Sequence, residues 1–210
     1  GDNGASPVAS VTLDGTLAVV GGSGGDNSFS STSGGNGGDA GSVRIFASGT
    51  LTFNGAIEAG NGEYINGSYG GSGHGGQGDS QPGAGGKGGD IVFSADGGIE
   101  ITQSAVIDVT GGRGADNFGE GGASGRGGAG GTISMTSVAG SIVMDGTLIA
   151  DAMGHGSGYG AAASTDKANA GGSISLKGAR SLASHGSYCI GNRSADGSRK
   201  KSNGLMTESS

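Results

Sequence analysis

The chain has 210 residues, 54 of them glycine and two proline, and a formal charge of −7. Glycine costs about 1 kcal/mol against alanine inside a helix, which excludes a helical protein; the lack of a Gly-X-Y period excludes collagen. The acidic balance disfavours nucleic acid as a partner, no run approaches the roughly 20 apolar residues of a membrane span, and a single cysteine, Cys189, excludes an internal disulfide.

The elements follow one another as copies of one unit. The chain opens on a partial copy, "ASVTLDGTLAVVGGSGG", with its turn at Gly15. Its start at Gly1 without a methionine reads as a processed product or a piece of something longer. The first full unit is "GGDAGSVRIFASGTLTFNGAIEAGNG". In it Val43, Ile45 and Ala47 alternate with Arg44 and Phe46, Leu51 and Phe53 with Thr50 and Thr52, and Ile57 and Ala59 with Glu58. Period-two alternation predicts half-buried strands, and the breaks "SG" and "NG" are turn dipeptides. The unit returns as "GGKGGDIVFSADGGIEITQSAVIDVTGG", "GGAGGTISMTSVAGSIVMDGTLIADAMG" and "NAGGSISLKGARSLASHGSYCIG". Its first apolar anchors, Val43, Ile91, Ile133 and Ile174, are spaced by 48, 42 and 41 residues. The mid-unit turn falls at Gly15, Gly55, Gly146 and Gly186, and "TQSA" at 102–105 replaces it in the remaining copy.

One unit is therefore three short strands and a long glycine tract. Such units build either an antiparallel sandwich of hairpins or a parallel β-solenoid, in which each strand pairs with its equivalent one repeat later. The solenoid is preferred, because stacking the copies yields two apolar ladders, Val43/Ile91/Ile133/Ile174 and Ile45/Phe93/Met135/Leu176. A narrow solenoid core also suits a chain with only 4% aromatic residues. A single copy cannot bury its own face, so at least three must stack. The expected organisation is one all-β solenoid domain over 8–190 with about four repeats, then a basic polar tail over 191–210. Residues 177–210 hold six Lys/Arg and two Asp/Glu, against five and sixteen in residues 1–176.

The pattern GGxGG-x-I-x-(F/M/L), followed by I-x-(F/I/M)-x-G-x-I-x-A, resembles the glycine-rich repeats of right-handed parallel β-helices. These occur in filamentous-haemagglutinin-like and autotransporter-passenger-like surface proteins. The resemblance covers roughly residues 8–190 and implies an extracellular, adhesive or fibrous protein. The chain departs from that pattern in the length of its glycine tracts.

The tracts start after each third strand and end before the next first strand. If the strands stack, the tracts stack on one side of the solenoid. Glycine runs adopt an extended threefold helix of polyproline-II type, and neighbouring runs pack closely where no side chain intervenes. Stacked irregular loops are the alternative reading, and disorder comes behind it. "GGRGADNFG" at 111–119 also fits a calcium-binding nonapeptide with Asp116 as the carboxylate, and "GGSGGDNSF" at 21–29 nearly fits with Asp26. Neither match is tandem, as shared ions would require, so no cofactor is expected and calcium stays a minor reading.

Enzyme signatures are sparse. His74, His155 and His185 lie in glycine-rich segments with no metal-ligand spacing. Glu58 and Asp108 follow equivalent anchors and are candidates to stack as an acid pair of the kind that hydrolyses polysaccharide, with ordinary exposed charge as the plainer explanation. Thr12, Thr16, Thr50, Thr52, Thr132 and Thr147 suggest an ice-binding face, but their ladder is irregular. The preferred reading is a non-enzymatic subunit of an extracellular filament or surface layer, joined head-to-tail to copies of itself. The residues expected at its ends are Val11, Leu13, Leu17, Leu182, Tyr188, Arg199, Lys200 and Lys201. An adhesin for cell-surface polysaccharide or an ice binder is the alternative, and a polysaccharide-active enzyme follows behind.

Overall fold

Where apolar and polar residues alternate, the chain is extended, and every long-range pairing among the main strands is parallel. A computed structural model describes residues 9–24, 34–60, 82–116, 124–154, 156, 170–193, 199–200 and 205–209. No helix occurs among them.

The first turn supplies β1 (Val11–Leu13) and β2 (Thr16–Ala18). The second supplies β3 (Ser42–Ala47), β4 (Leu51–Phe53) and β5 (Ala56–Glu58), and the third β6 (Asp90–Ala95), β7 (Ile99–Ile101) and β8 (Val106–Asp108). The fourth contains β9 (Thr132–Ser137), β10 (Ile142–Met144) and β11 (Thr147–Ile149), followed by β12 (Ala152–Met153). The fifth contains β13 (Ser173–Gly178), β14 (Leu182–Ser184) and β15 (Ser187–Cys189). Three five-stranded sheets result: a short sheet β1-β4-β7-β10-β14, a second short sheet β2-β5-β8-β11-β15, and a long sheet β3-β6-β9-β13-β18, whose last strand β18 is Leu205–Ser209. This is a parallel β-solenoid with three strands per turn.

Register follows the apolar ladders. Val43 lies opposite Ile91, Ile91 opposite Ile133, and Ile133 opposite Ile174; Ile45, Phe93, Met135 and Leu176 form the neighbouring column. A slip of one residue would turn each column out to solvent, so burial fixes the register. The columns meet inside the prism with Leu51, Ile99 and Ile142 from one short sheet and Ile57, Ile107 and Leu148 from the other, all at most 1% exposed. The Phe53 and Phe93 rings meet at a centroid distance of 5.6 Å. Each fully buried side chain of this size stabilises the fold by about 1.5–3 kcal/mol.

The corner between the two short sheets is set by the predicted turns. Gly15 has φ of 94°, a conformation open to glycine. One turn along, a Cβ on Gly55 would lie 2.0 Å from Gly15 O, so this corner requires glycine for close stacking as well. Where "TQSA" takes its place, Ala105 N–H donates to Thr102 O and closes a turn without glycine. Thr102 Oγ1 and Ser104 Oγ then both donate to Asn54 Oδ1, at 2.6 and 2.7 Å. Asn54 Nδ2 in turn reaches Asp14 Oδ1 at 3.3 Å, continuing a polar ladder down the corner.

The glycine tracts form a second lobe of extended limbs, one running out from the second short sheet and one returning to the long sheet. Residues 109–116 run out and 124–131 run back. The N–H groups of Gly131, Gly128 and Gly125 donate to Val109, Gly112 and Ala115 carbonyls at 2.7, 2.6 and 2.8 Å. Gly112 and Ala115 donate to Gly86 and Gly83 of the preceding return limb at 2.8 and 3.1 Å. Gly111 and Gly114 donate to Asp151 and Gly154 of the following outgoing limb at 2.9 and 3.4 Å. The return limbs stack likewise, Gly85 and Gly88 on Arg126 and Ala129, and Gly37 and Ala40 on Ala84 and Lys87.

Donors thus recur at every third residue, the period of a polyproline-II helix, which has no internal hydrogen bonds and must find partners outside itself. The limb at 109–116 finds them on three sides. Side chains would prevent this packing: a Cβ on Gly128 would lie 1.8 Å from Gly86 O, and one on Gly131 1.9 Å from Gly89 O. At such positions the Cα hydrogen faces a carbonyl, a weak attractive contact of the kind seen between strands.

The segment after residue 190, read from its charge as a polar tail, contains three strands. β16 (Asn192–Arg193) pairs in parallel with β12, β17 (Arg199–Lys200) runs antiparallel to β16, and β18 pairs in parallel with β13.

Candidate functional site

The residues expected to mediate assembly sort to the two ends of the solenoid. Val11 and Leu13 lie on β1 and Leu17 on β2, the outermost strands of the two short sheets at one end. Leu182 lies on β14 and Tyr188 on β15, the outermost strands at the other. Leu17 is 44% exposed, whereas Ile57, Ile107 and Leu148 beneath it in the same column are fully buried. The column therefore ends in an apolar residue with no covering layer among the described residues. Val11, Leu13, Leu182 and Tyr188 pack against the core and are half-buried. Tyr188 Oη is hydrogen-bonded to Ser184 Oγ, which ties β15 to β14 at this end. Arg199 and Lys200 form β17, beside β16; Lys201 lies outside the described residues.

Backbone groups complete these end surfaces. Val11 N–H donates to Thr50 O, and Asn54 N–H donates to Leu13 O, so both residues face inward along the solenoid axis. Successive residues of a strand turn their backbone groups to opposite neighbours. Thr12 therefore presents its N–H and C=O outward. In the long sheet Asp96 N–H donates to Ala47 O, so Ala47 faces β6. By the same alternation Val43 and Ile45 also face β6, and Ser42, Arg44 and Phe46 face away. Among the described residues nothing pairs with these outward groups, and strand edges left in that state attract further strands.

No family model, curated protein or solved structure matches the chain.

The other candidate residues have local roles. Asp116 accepts from Arg113 Nη2 at 2.6 Å, with the two side chains 21% and 18% exposed. Residues three apart share a face of a threefold limb, which accounts for the pairing. Asp26 lies outside the described residues, as do His74 and His155. Among the described residues no cluster of three or more His, Cys, Asp or Glu is arranged to hold a metal ion. Glu58 and Asp108 do stack, as neighbours in register. Asp108 is only 5% exposed, and its Oδ1 accepts from Thr110 N–H at 2.8 Å. That carboxylate caps the start of the outgoing limb.

The outward face of the long sheet bears hydroxyls in register, Thr132 beside Ser173 and Ser134 beside Ser175. Arg44, Phe46, Val92 and Lys177 interrupt the array. The threonines of the first short sheet break off sooner, since Thr12 and Thr52 are followed by Glu100 and Val143. Cys189 is half-buried on β15.

Two features escaped sequence reasoning. The polar corner ladder has a signal, since Asp14, Asn54, Asp145 and His185 all precede the turn glycine, and His185 Nδ1 lies 3.2 Å from Asp145 Oδ1. Strand β18 has almost none: "LMTES" follows a charged stretch and lacks the "GG" that introduces the other long-sheet strands.

Proposed function

We propose that the protein is a structural subunit that joins head-to-tail with copies of itself into a fibre, as part of an extracellular filament or surface layer. The observation that carries this reading is the pair of open ends, each offering parallel strand edges and apolar columns with no covering layer among the described residues. The two ends differ, so a contact between them is heterologous and propagates instead of closing into a dimer. Charge supports the same polarity, because an acidic body ends in a basic segment containing Arg199, Lys200 and Lys201. The extracellular setting rests on the resemblance to surface-protein repeats.

The purified protein should form unbranched fibres on concentration, visible by electron microscopy, with a growing sedimentation coefficient. A monodisperse monomer at the highest attainable concentration would refute assembly. The in-register hydroxyls of the long sheet favour a second reading, a module that binds ice or polysaccharide on that face. Thermal hysteresis from a strictly monomeric sample would select it.

A further inference from the structure

Charge is sorted between two side faces of the solenoid. On the outward side of the long sheet, Ser42, Asp90, Thr132 and Ser173 form one column, Arg44, Val92, Ser134 and Ser175 a second, and Phe46, Ser94, Thr136 and Lys177 a third. The one carboxylate in these columns, Asp90, is held by Thr132 Oγ1 at 2.7 Å and Lys87 Nζ at 3.5 Å. Arg44 and Lys177 are exposed and make no ion pair among the described residues. The free charge of this face is therefore cationic, in a chain whose formal charge is −7.

The first short sheet carries the opposite sign. Its outward column runs Thr12, Thr52, Glu100, Val143 and Ala183. Asp14 and Asp145 stand at the corner beside it, directly after β1 and β10. Asp14 accepts from Asn54 Nδ2, and Asp145 Oδ1 lies 3.2 Å from His185 Nδ1. Glu100 is exposed and makes no ion pair among the described residues. The five strands of this sheet contain no lysine or arginine.

The two sets of charges match in spacing. β3 and β13 are three strands apart in the long sheet, as β1 and β10 are in the short one. At about 4.8 Å per strand, each separation is about 14 Å along the axis. Arg44 and Lys177 are also offset by one outward column. Asp14 and the position of Val143 have the same offset, and Val143 is flanked by Glu100 on the next strand and by Asp145 two residues on.

We propose that the long-sheet face of one copy docks laterally on the first short sheet of another, so that fibres associate side by side. This rests on the head-to-tail reading above and adds the contact that makes a bundle or layer from single fibres. With parallel axes, facing strands run in opposite directions; Arg44 then meets Asp14, and Lys177 falls between Glu100 and Asp145. With opposed axes the strands run alike, and the two cations exchange places. Phe46, 70% exposed, adds apolar contact.

Five strands by three columns cover about 24 Å by 17 Å, roughly 400 Å² per copy, half of what each partner buries in a standard interface. Single subunits therefore stay apart sideways, whereas a fibre repeats the contact along its length and gains by multivalency. The net charge of −7 opposes the approach. At physiological salt that repulsion is screened beyond about 8 Å, which leaves the facing pairs to decide.

Electron microscopy and turbidity of the full chain test this. Wild-type fibres should bundle at physiological salt and separate into single fibres at about 1 M, where screening reaches about 3 Å. Arg44→Glu with Lys177→Glu should give single fibres with wild-type circular dichroism, and so should Glu100→Lys with Asp145→Lys. Mixing the two should restore bundles, because each reversed face then meets its complement. Bundles that survive either reversal, or a mixture that stays as single fibres, would overturn the lateral contact. So would wild-type fibres that stay single yet are retained by polygalacturonate through Arg44 and Lys177, which would assign the face to an acidic polysaccharide. Wild-type fibres that never bundle would overturn the contact and leave head-to-tail assembly standing, and a wild type without fibres would overturn both. If one reversed pair fails to fold, bundling by the other decides.

Discussion

Gly128→Ala is expected to destabilise the protein by about 3 kcal/mol, the upper end of the usual cost of overpacking. The added methyl would lie 1.8 Å from Gly86 O and 2.6 Å from Gly86 C, both backbone atoms that no rotamer change can move. Relief requires the two return limbs to part, which lengthens the bonds from Gly85 N–H to Arg126 O and from Gly88 N–H to Ala129 O. Gly22→Ala is the control. Its Cβ meets nothing within 4 Å and its φ is not positive. There alanine only restricts the unfolded chain, an effect that stabilises by about 0.4–1 kcal/mol. Chemical denaturation of both variants checks the contrast. Equal effects would mean that the tracts do not pack through their glycines.

Phe93→Ala is expected to cost about 3–5 kcal/mol, the range for removing a buried phenylalanine. The ring is fully buried between Ile45 and Met135 in its column and meets Phe53 across the core. The solenoid core is narrow and its columns are held in register by the sheets, so neighbouring turns have little freedom to collapse into the gap. At about 2–4 °C per kcal/mol for a chain of this size, the midpoint of thermal unfolding should fall by at least 6 °C. Phe46→Ala, at a position 70% exposed, should change stability by no more than about 0.5 kcal/mol. Calorimetry on the pair would reveal whether the long sheet faces the core as described.

The strands and their register were legible because two independent signals coincide at each of them. Alternation marks the inward residues Val43, Ile45 and Ala47, and the turn glycines fix where each strand must stop. Stacking equivalents then leaves one register that keeps Ile91, Ile133 and Ile174 buried. The limbs were legible only as tracts that stack on one side of the solenoid. Their arrangement in two antiparallel layers depends on which backbone faces meet, and glycine has no side chain to record that. Arg113 and Asp116 illustrate the loss: their spacing of three fits the period of the limb, yet "GGRGADNFG" also fits a metal-loop pattern in a chain this rich in glycine.

The end residues were partly legible. Leu17, Leu182 and Tyr188 follow directly from the first and last copies of the repeat. β18 does not, because its place in the long sheet is set by pairing with β13 and not by a pattern of its own. Charge alone made the segment look like solvated tail. The segment instead supplies a fifth strand to the long sheet among the described residues.

The glycine tracts are hydrogen-bonded architecture on a par with the sheets. Native-state hydrogen exchange resolved to single amides tests it most directly. Gly112, Ala115, Gly128 and Gly131 should exchange as slowly as core-strand amides such as Phe93 and Met135, and with them should open only in the larger unfolding events. Exchange of these four at the rate of an unstructured chain, while Phe93 and Met135 stay protected, would mean that the limbs are not held by these hydrogen bonds.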